Sequence, residues 1–182
     1  MPFPITKIVI HCSATQNGKP LLGNKDLSAA QIIDSWHAKR GFKRNPINTR
    51  HFNPHLPHIG YHFVVDVDGT VETARQEGEN GAHVKGHNAH SLGICLVGGI
   101  SIDGKNYGRY TAKQWYALHK LLRELEAKYP EARICGHRDL SPDLNGDGTI
   151  TPNEWLKACP CFDVWTWLDA EEIINVDHLF KE

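Results

Sequence analysis

The chain predicts an α/β fold: a single domain with a mixed central β-sheet flanked by helices. Three observations lead there. Short continuous apolar runs, of the kind buried on both faces of a sheet, alternate with amphipathic helical periods. An Asp-Gly pair between two strand-like runs marks one hairpin. The 182 residues suit one domain covering 1–182, with no internal repeat or low-complexity segment.

Ile5 to His11 reads as the first strand, because Ile8, Val9 and Ile10 run without a polar break. Ser28 is placed to N-cap a helix reaching about Arg40, with Ile32, Ile33, Trp36 and the Lys39 stem as its buried stripe and Gly41 as its stop. Residues 43–58 are rich in Pro, Asn and His and read as a surface loop. Tyr61 to Val67 and Thr70 to Arg75 flank Asp68-Gly69 as the hairpin. Ser91 to Val97 is a second buried-type strand ended by Gly98-Gly99. Thr111 opens the longest helix with Gln114 completing a capping box, and Trp115, Leu118, Leu122, Leu125 and Tyr129 follow at helical spacing up to Pro130. Ala132 to His137 forms a last strand, and Trp165–Leu168 and Glu171–Ile174 are short helical patterns.

Composition narrows the function. Apolar residues make up 40% and charged residues 23%, which excludes a disordered or fibrous chain. A formal charge of −1 gives no footprint for nucleic acid. No apolar run is long enough to span a bilayer, so no membrane partner is expected. Met1 to Lys7 lacks the basic and apolar regions of a signal peptide, so synthesis in the cytoplasm is expected. Five cysteines are too few for a disulfide scaffold, whereas twelve histidines are an excess that asks for a reason.

Two of those histidines end predicted core strands: His11 after Ile8-Val9-Ile10, and His137 after Ile134-Cys135-Gly136. Ligands gather at the carboxyl ends of strands in open α/β sheets. A catalytic zinc takes about three protein ligands and keeps one position open, and Cys159 is a candidate third ligand. Spacing alone also leaves both histidines readable as hydrogen-bonded strand-end residues. Within a regular strand Cys135 shares a face with His137, while Cys12 points opposite to His11. Cys95 reads as a small buried hydrophobe.

Further motifs make the sequence recognisable. Ile8-Val9-Ile10-His11-Cys12-Ser13-Ala14-Thr15, Trp36-His37 and Arg40-Gly41-Phe42 are followed by Ile59-Gly60-Tyr61-His62-Phe63 and Asp68-Gly69-Thr70-Val71-Glu72. Then come Gly86-His87-Asn88, Ser91 to Gly99, Gly136-His137-Arg138-Asp139 and Lys157 to Asp163. In this order they resemble the zinc N-acetylmuramoyl-L-alanine amidases of the phage-lysozyme type, a family related to the peptidoglycan recognition proteins. The resemblance covers about Lys7 to Val164. It implies zinc on His11, His137 and Cys159, with Tyr61 and Lys157 as catalytic side chains beside it. Cys161 stands as an alternative ligand, although the family's Lys-x-Cys spacing favours Cys159.

The implied reaction is hydrolysis of the amide bond between N-acetylmuramic acid and L-alanine in peptidoglycan. Zinc lowers the pKa of water to about 7, Lys157 can stabilise the tetrahedral oxyanion, and Tyr61 can hydrogen-bond the water or the carbonyl. A monomeric phage or prophage endolysin is the expected setting, acting on the wall after release by a separate protein. The alternatives are a cytoplasmic recycling amidase acting on anhydromuropeptides and a non-catalytic peptidoglycan-binding module. His83, His87 and Asn88, with Lys85, are expected to line the substrate groove. His51, His55 and His58 read as solvated loop histidines, and Arg138-Asp139 as an ion pair or an orienting contact for His137.

Asp143 to Glu154 matches the pattern D-x-[DN]-x-[DN]-G-x5-E at every fixed position. Asp143, Asn145, Asp147, Thr149 and Glu154 would supply the calcium ligands, with Gly148 making the turn. The fold class therefore includes an inserted EF-hand-like calcium loop, placed between His137 and Lys157-Ala158-Cys159. Calcium is expected to act as a structural clamp that positions Lys157 and Cys159. The carboxylates of the loop hold three negative charges and leave a mildly basic body to face an anionic wall.

Overall fold

A computed structural model describes residues 4–23 and 26–170; the helical pattern at Glu171–Ile174 lies outside them. In chain order the elements are β1 (Lys7–Cys12), β2 (Thr15–Gln16), α1 (Ala29–Lys39), α2 (Pro46–His51), β3 (Phe63–Val65) and β4 (Val71–Thr73). There follow β5 (Ser91–Leu96), β6 (Gly99–Ile100), α3 (Ala112–Lys128), β7 (Arg133–Gly136), a 3-10 turn (His137–Leu140) and α4 (Val164–Ala170).

The main sheet runs β4-β3-β5-β1-β7. β3, β5, β1 and β7 are parallel and β4 pairs antiparallel at the edge, so the sheet is mixed as the sequence predicts. Beyond its carboxyl end, β2 and β6 form a small parallel pair. Ile8, Val9 and Ile10 are fully buried because both faces are covered. On one face Ile8, Ile10, Leu92, Ile94 and Ile134 pack against Leu118, Leu122 and Leu125 of α3 and Val164 and Leu168 of α4. On the other, Val64, Cys95 and Val97 meet Ala29, Ala30 and Ile33 of α1. Each large aliphatic so buried contributes about 1.5–3 kcal/mol.

Ser28 caps α1 as expected and Gln31 completes a capping box there, while the expected box of Thr111 with Gln114 forms at α3. Gly41 ends α1 at φ +79°, a left-handed conformation that favours glycine. Two expectations need correcting. Lys39 is exposed: the buried face of α1 runs through Ala30, Ile33 and His37, and Lys39 lies about 200° around the helix from His37. Residues 43–58 are not all loop, because α2 forms there. Asn45 caps it through a hydrogen bond from the Ile47 N–H (2.9 Å), and Pro46 starts it. α2 buries none of its residues, so no apolar period announces it.

That segment is anchored from within. Arg44 is buried and pairs with Glu79 at 2.8 Å while its remaining N–H groups reach the carbonyls of Phe52, Asn53 and Leu56. His58, which the sequence places among solvated histidines, is half-buried with Nδ1 2.6 Å from the Phe42 carbonyl; His51 and His55 are exposed.

Candidate active site

Adjacent parallel strands bring their carboxyl ends together. β1 and β7 are neighbours, so His11 near the end of β1 and His137 just after β7 meet with their Nδ1 atoms 3.1 Å apart. The strand stops at Gly136 and His137 opens the 3-10 turn, so Cys135 and His137 do not share one regular strand. Cys135 packs instead with Val9, Val84 and Leu140. Cys159 arrives from the segment after the inserted loop, its Sγ 3.8 Å from His11 Nδ1.

That segment is held at several points. The Arg138 N–H donates to the Cys159 carbonyl (2.8 Å), the Cys12 N–H to Cys159 Sγ (3.2 Å) and the Tyr110 hydroxyl to the Pro160 carbonyl (2.7 Å). Gly136 is required by close approach: a Cβ there would stand 2.7 Å from Pro160 Cδ. Arg138 also pairs with Asp139 (3.5 Å) and with Asp163, whereas Asp139 accepts from the Gly136 N–H (2.6 Å). These contacts fix the backbone around His137 and do not touch its ring.

The ligand atoms of His11, His137 and Cys159 lie within 4.8 Å of one another, and this is the one such His/Cys/Asp/Glu group among the described residues. The two edges that meet at His11 suit a small tetrahedral ion. Zinc–nitrogen and zinc–sulfur bonds of ordinary length give edges of about 3.3 Å between nitrogens and about 3.6 Å between nitrogen and sulfur. The corresponding separations here are 3.1 and 3.8 Å.

His11 is 1% exposed, and its other nitrogen, Nε2, sits 3.0 Å from His83 Nδ1. With the proton on Nε2, His11 donates to His83 and turns the Nδ1 lone pair toward His137 and Cys159. His83 Nε2 then faces Ser91 Oγ at 3.3 Å, and the Ser91 hydroxyl donates to the His87 carbonyl at 2.7 Å. In this tautomer the relay leaves His11 Nδ1 unprotonated, as a metal requires. Burial lowers the pKa of His11, and burial followed by the charge of Lys157 holds His137 at about 4, so both rings are neutral at physiological pH. Gly93 makes room for the relay, since a Cβ there would meet the His83 ring at 2.7 Å.

Above this floor opens a cleft of about 370 Å³. Tyr61 and Lys157 line it, together with His37, Arg40, Phe42, Asn106, His83 and Cys161. No carboxylate is among its lining residues, whereas Arg40 and Lys157 are cationic. The Tyr61 ring centroid is 5.2 Å from that of His11, and burial pushes the phenol pKa up, keeping its proton available for donation.

The other expected site residues fall elsewhere. His87 and Asn88 are not among the cleft-lining residues. Asn88 Oδ1 accepts from the His83 and Val84 N–H groups (2.7 and 2.9 Å), holding the turn that carries His83. In the 143–154 loop, Asp143 accepts from Gly146 and Gly148, Asp147 from Thr149, and Glu154 from Leu144, Asn145 and Thr151. The carboxylates of Asp143, Asp147 and Glu154 do not converge as a ligand group. Sequence reasoning gave no role to His37 or Arg40. His37 sits on the buried face of α1, where Nδ1 accepts the Gly60 N–H (2.9 Å), and its only signal was the Trp36-His37 motif.

Comparison with known families settles the relationship. Residues 1–154 match the family model described as N-acetylmuramoyl-L-alanine amidase. The chain belongs to this amidase family. The endolysin of Enterobacteria phage K11 is 34% identical over 172 residues, covering 94% of this chain and 91% of that protein. The endolysin of Escherichia phage T7 is also 34% identical, covering 93% and 89%. Among solved structures, the N-acetylmuramoyl-L-alanine amidase LysC from Clostridium intestinale aligns with a TM-score of 0.62 at 24% identity, over 95% of this chain and 89% of that one. At that identity the likeness carries the amidase fold. The family match stops before Lys157 and Cys159, and the structure places both at the cleft.

Proposed function

We propose that this amidase is a zinc-dependent hydrolase of the amide bond between N-acetylmuramic acid and L-alanine in peptidoglycan, working as a phage or prophage endolysin. The observation that carries the reading is the meeting of His11, His137 and Cys159 on the floor of a cleft lined by Tyr61 and Lys157. Two neutral imidazoles and a thiolate are a donor set that zinc accepts with one position left open.

Zinc, when bound, supplies a Lewis acid and a water acidic enough to react at neutral pH. The chain's own residues do the remainder. His83 and Ser91 hold His11 in the ligating tautomer. Lys157, exposed at the cleft rim, offers N–H donors to the oxygen that gains negative charge as the lactyl carbonyl becomes tetrahedral. Tyr61 keeps its hydroxyl proton and orients the carbonyl or the attacking water by hydrogen bonding. Arg40 and Lys157 give the cleft a positive field, suited to the carboxylates of a stem peptide.

The calcium reading of the 143–154 loop belongs to the same proposal. Its support is the sequence match at every fixed position and the left-handed turns at Gly146 (φ +75°) and Gly148 (φ +79°). The loop leaves and rejoins the body at one neck, where the Leu156 N–H donates to Ser141 Oγ (3.1 Å) immediately before Lys157. A cation that stiffens the loop therefore acts directly on the segment carrying Lys157 and Cys159.

A cell-wall zymogram with the zinc-loaded protein tests the activity. Clearing that disappears in His137→Ala supports it. Wall binding without clearing points to a binding module, and cleavage of soluble muropeptides without clearing points to a recycling enzyme.

A further inference from the structure

We propose that Cys12 and Cys161 are a disulfide-forming pair that pins the Lys157–Cys161 segment to β1, leaving Cys159 to the metal. Their Sγ atoms lie 3.8 Å apart, so a closure of about 1.8 Å reaches the disulfide length of about 2.05 Å. Cys12 borders both thiols of the Cys159-Pro160-Cys161 turn, but Cys159 Sγ also lies 3.8 Å from His11 Nδ1 and takes the Cys12 N–H, which leaves Cys161 Sγ as the thiol facing Cys12 Sγ without a metal-facing neighbour. Cys12 is fixed on β1, where its side chain packs on the α3 face of the sheet, away from His11. Cys95 and Cys135 lie in the clusters of the other face.

Access and backbone geometry fit. Both cysteines line the cleft, Cys161 half-buried and Cys12 only 7% exposed, so a small oxidant meets Cys161 more readily. Cys161 holds a left-handed φ of +70° between two backbone hydrogen bonds, its N–H to the Ala158 carbonyl (2.7 Å) and its carbonyl from the Gly108 N–H (2.8 Å). A covalent tie to β1 would fix the same turn that presents Lys157 and Cys159.

The oxidant is a disulfide, such as oxidised glutathione or a dithiol oxidase. Cys161 sulfur attacks one sulfur of that disulfide, forming a mixed disulfide and releasing one thiol. Cys12 sulfur then attacks Cys161 sulfur, forming the internal bond and releasing the second thiol. Two protein electrons reduce the oxidant, and the two cysteine protons leave with the released thiols.

The proposal rests on the zinc reading only in assigning Cys159 to the metal. The test incubates the zinc-loaded full chain with oxidised glutathione, blocks remaining thiols, and maps the linked peptides without reduction. The expected result is a loss of about 2 Da with Cys12 joined to Cys161. Zinc is retained, and its removal by a chelator slows about 3-fold or more because the bridge restrains the segment. Cys161→Ser keeps its zinc and shows neither the mass loss nor the slowing. A linkage through Cys159, a stable glutathione adduct on Cys161 with Cys12 unlinked, or an unchanged chelator rate overturns the proposal. Reduced protein that takes up no zinc counts against the proposed function, while the linkage map still reads the thiol pair.

Discussion

Replacing His83 with alanine removes the acceptor of the His11 Nε2–H without touching any of the three metal-facing side chains. The lost hydrogen bond is 3.0 Å long, and its donor sits on a ring only 1% exposed. A buried donor left unpaired costs about 1–3 kcal/mol. Loss of a partner that orients a metal-binding histidine weakens metal affinity or activity about 10–100-fold, equivalent to about 1.4–2.8 kcal/mol. The two magnitudes agree, so the account expects the zinc Kd to rise about 10–100-fold in His83→Ala. Competition against a chromogenic chelator measures it, and a thermal melt confirms that the variant folds. His83→Asn, which restores an acceptor near the Nδ1 position, should recover part of the affinity. Unchanged zinc affinity with a raised KM would refute the reasoning and return His83 to the substrate-contact role expected from the sequence.

Three further outcomes follow from other parts of the structure. Arg44→Ala leaves Glu79 buried without its closest cation and should destabilise the fold by about 3–5 kcal/mol in denaturant melts; a loss below about 1 kcal/mol would show the pair to be dispensable. Burial holds His62 at about 4 against an ordinary 6.5, with its Nδ1 accepting the Gly93 N–H (3.0 Å). The folded state therefore binds fewer protons than the unfolded chain between those values. Its contribution to stability is complete above pH 6.5 and is lost as pH falls toward 4. Imidazole nitrogen shifts should show His62 titrating near 4, and titration near 6.5 would contradict the buried neutral ring. Calcium should raise the thermal midpoint of the wild type and not that of Glu154→Gln; a midpoint and activity both indifferent to calcium would remove the clamp.

Much of the fold was legible because burial leaves periodic marks. The unbroken Ile8-Val9-Ile10 run, the Asp68-Gly69 turn, the Ser28 N-cap and the Thr111-Gln114 capping box each specify local structure by local chemistry, and each appears where the sequence places it. α2 was hidden because none of its residues is buried, and the interior role of Arg44 because a charged residue beside a Pro-rich stretch reads as surface. Of the site, His11 and His137 were visible as strand-end histidines, but nothing in spacing says that β1 and β7 are neighbours. That adjacency is a long-range property of sheet order. The placement of His83 behind His11 depends on the same kind of information, since it needs the missing side chain of Gly93 on a different strand. Cys159 was a candidate by residue type, but choosing it over Cys161 rested on the family's Lys-x-Cys spacing, because an inserted loop separates both from His137.

The most direct test of the account is mass spectrometry of sacculi digested by the zinc-loaded protein, with His137→Ala as control. Free stem peptides with L-alanine at the amino terminus, glycan strands left uncut, and no release by the variant are expected. Cut glycan strands, cut cross-links, or equal release by His137→Ala would contradict it.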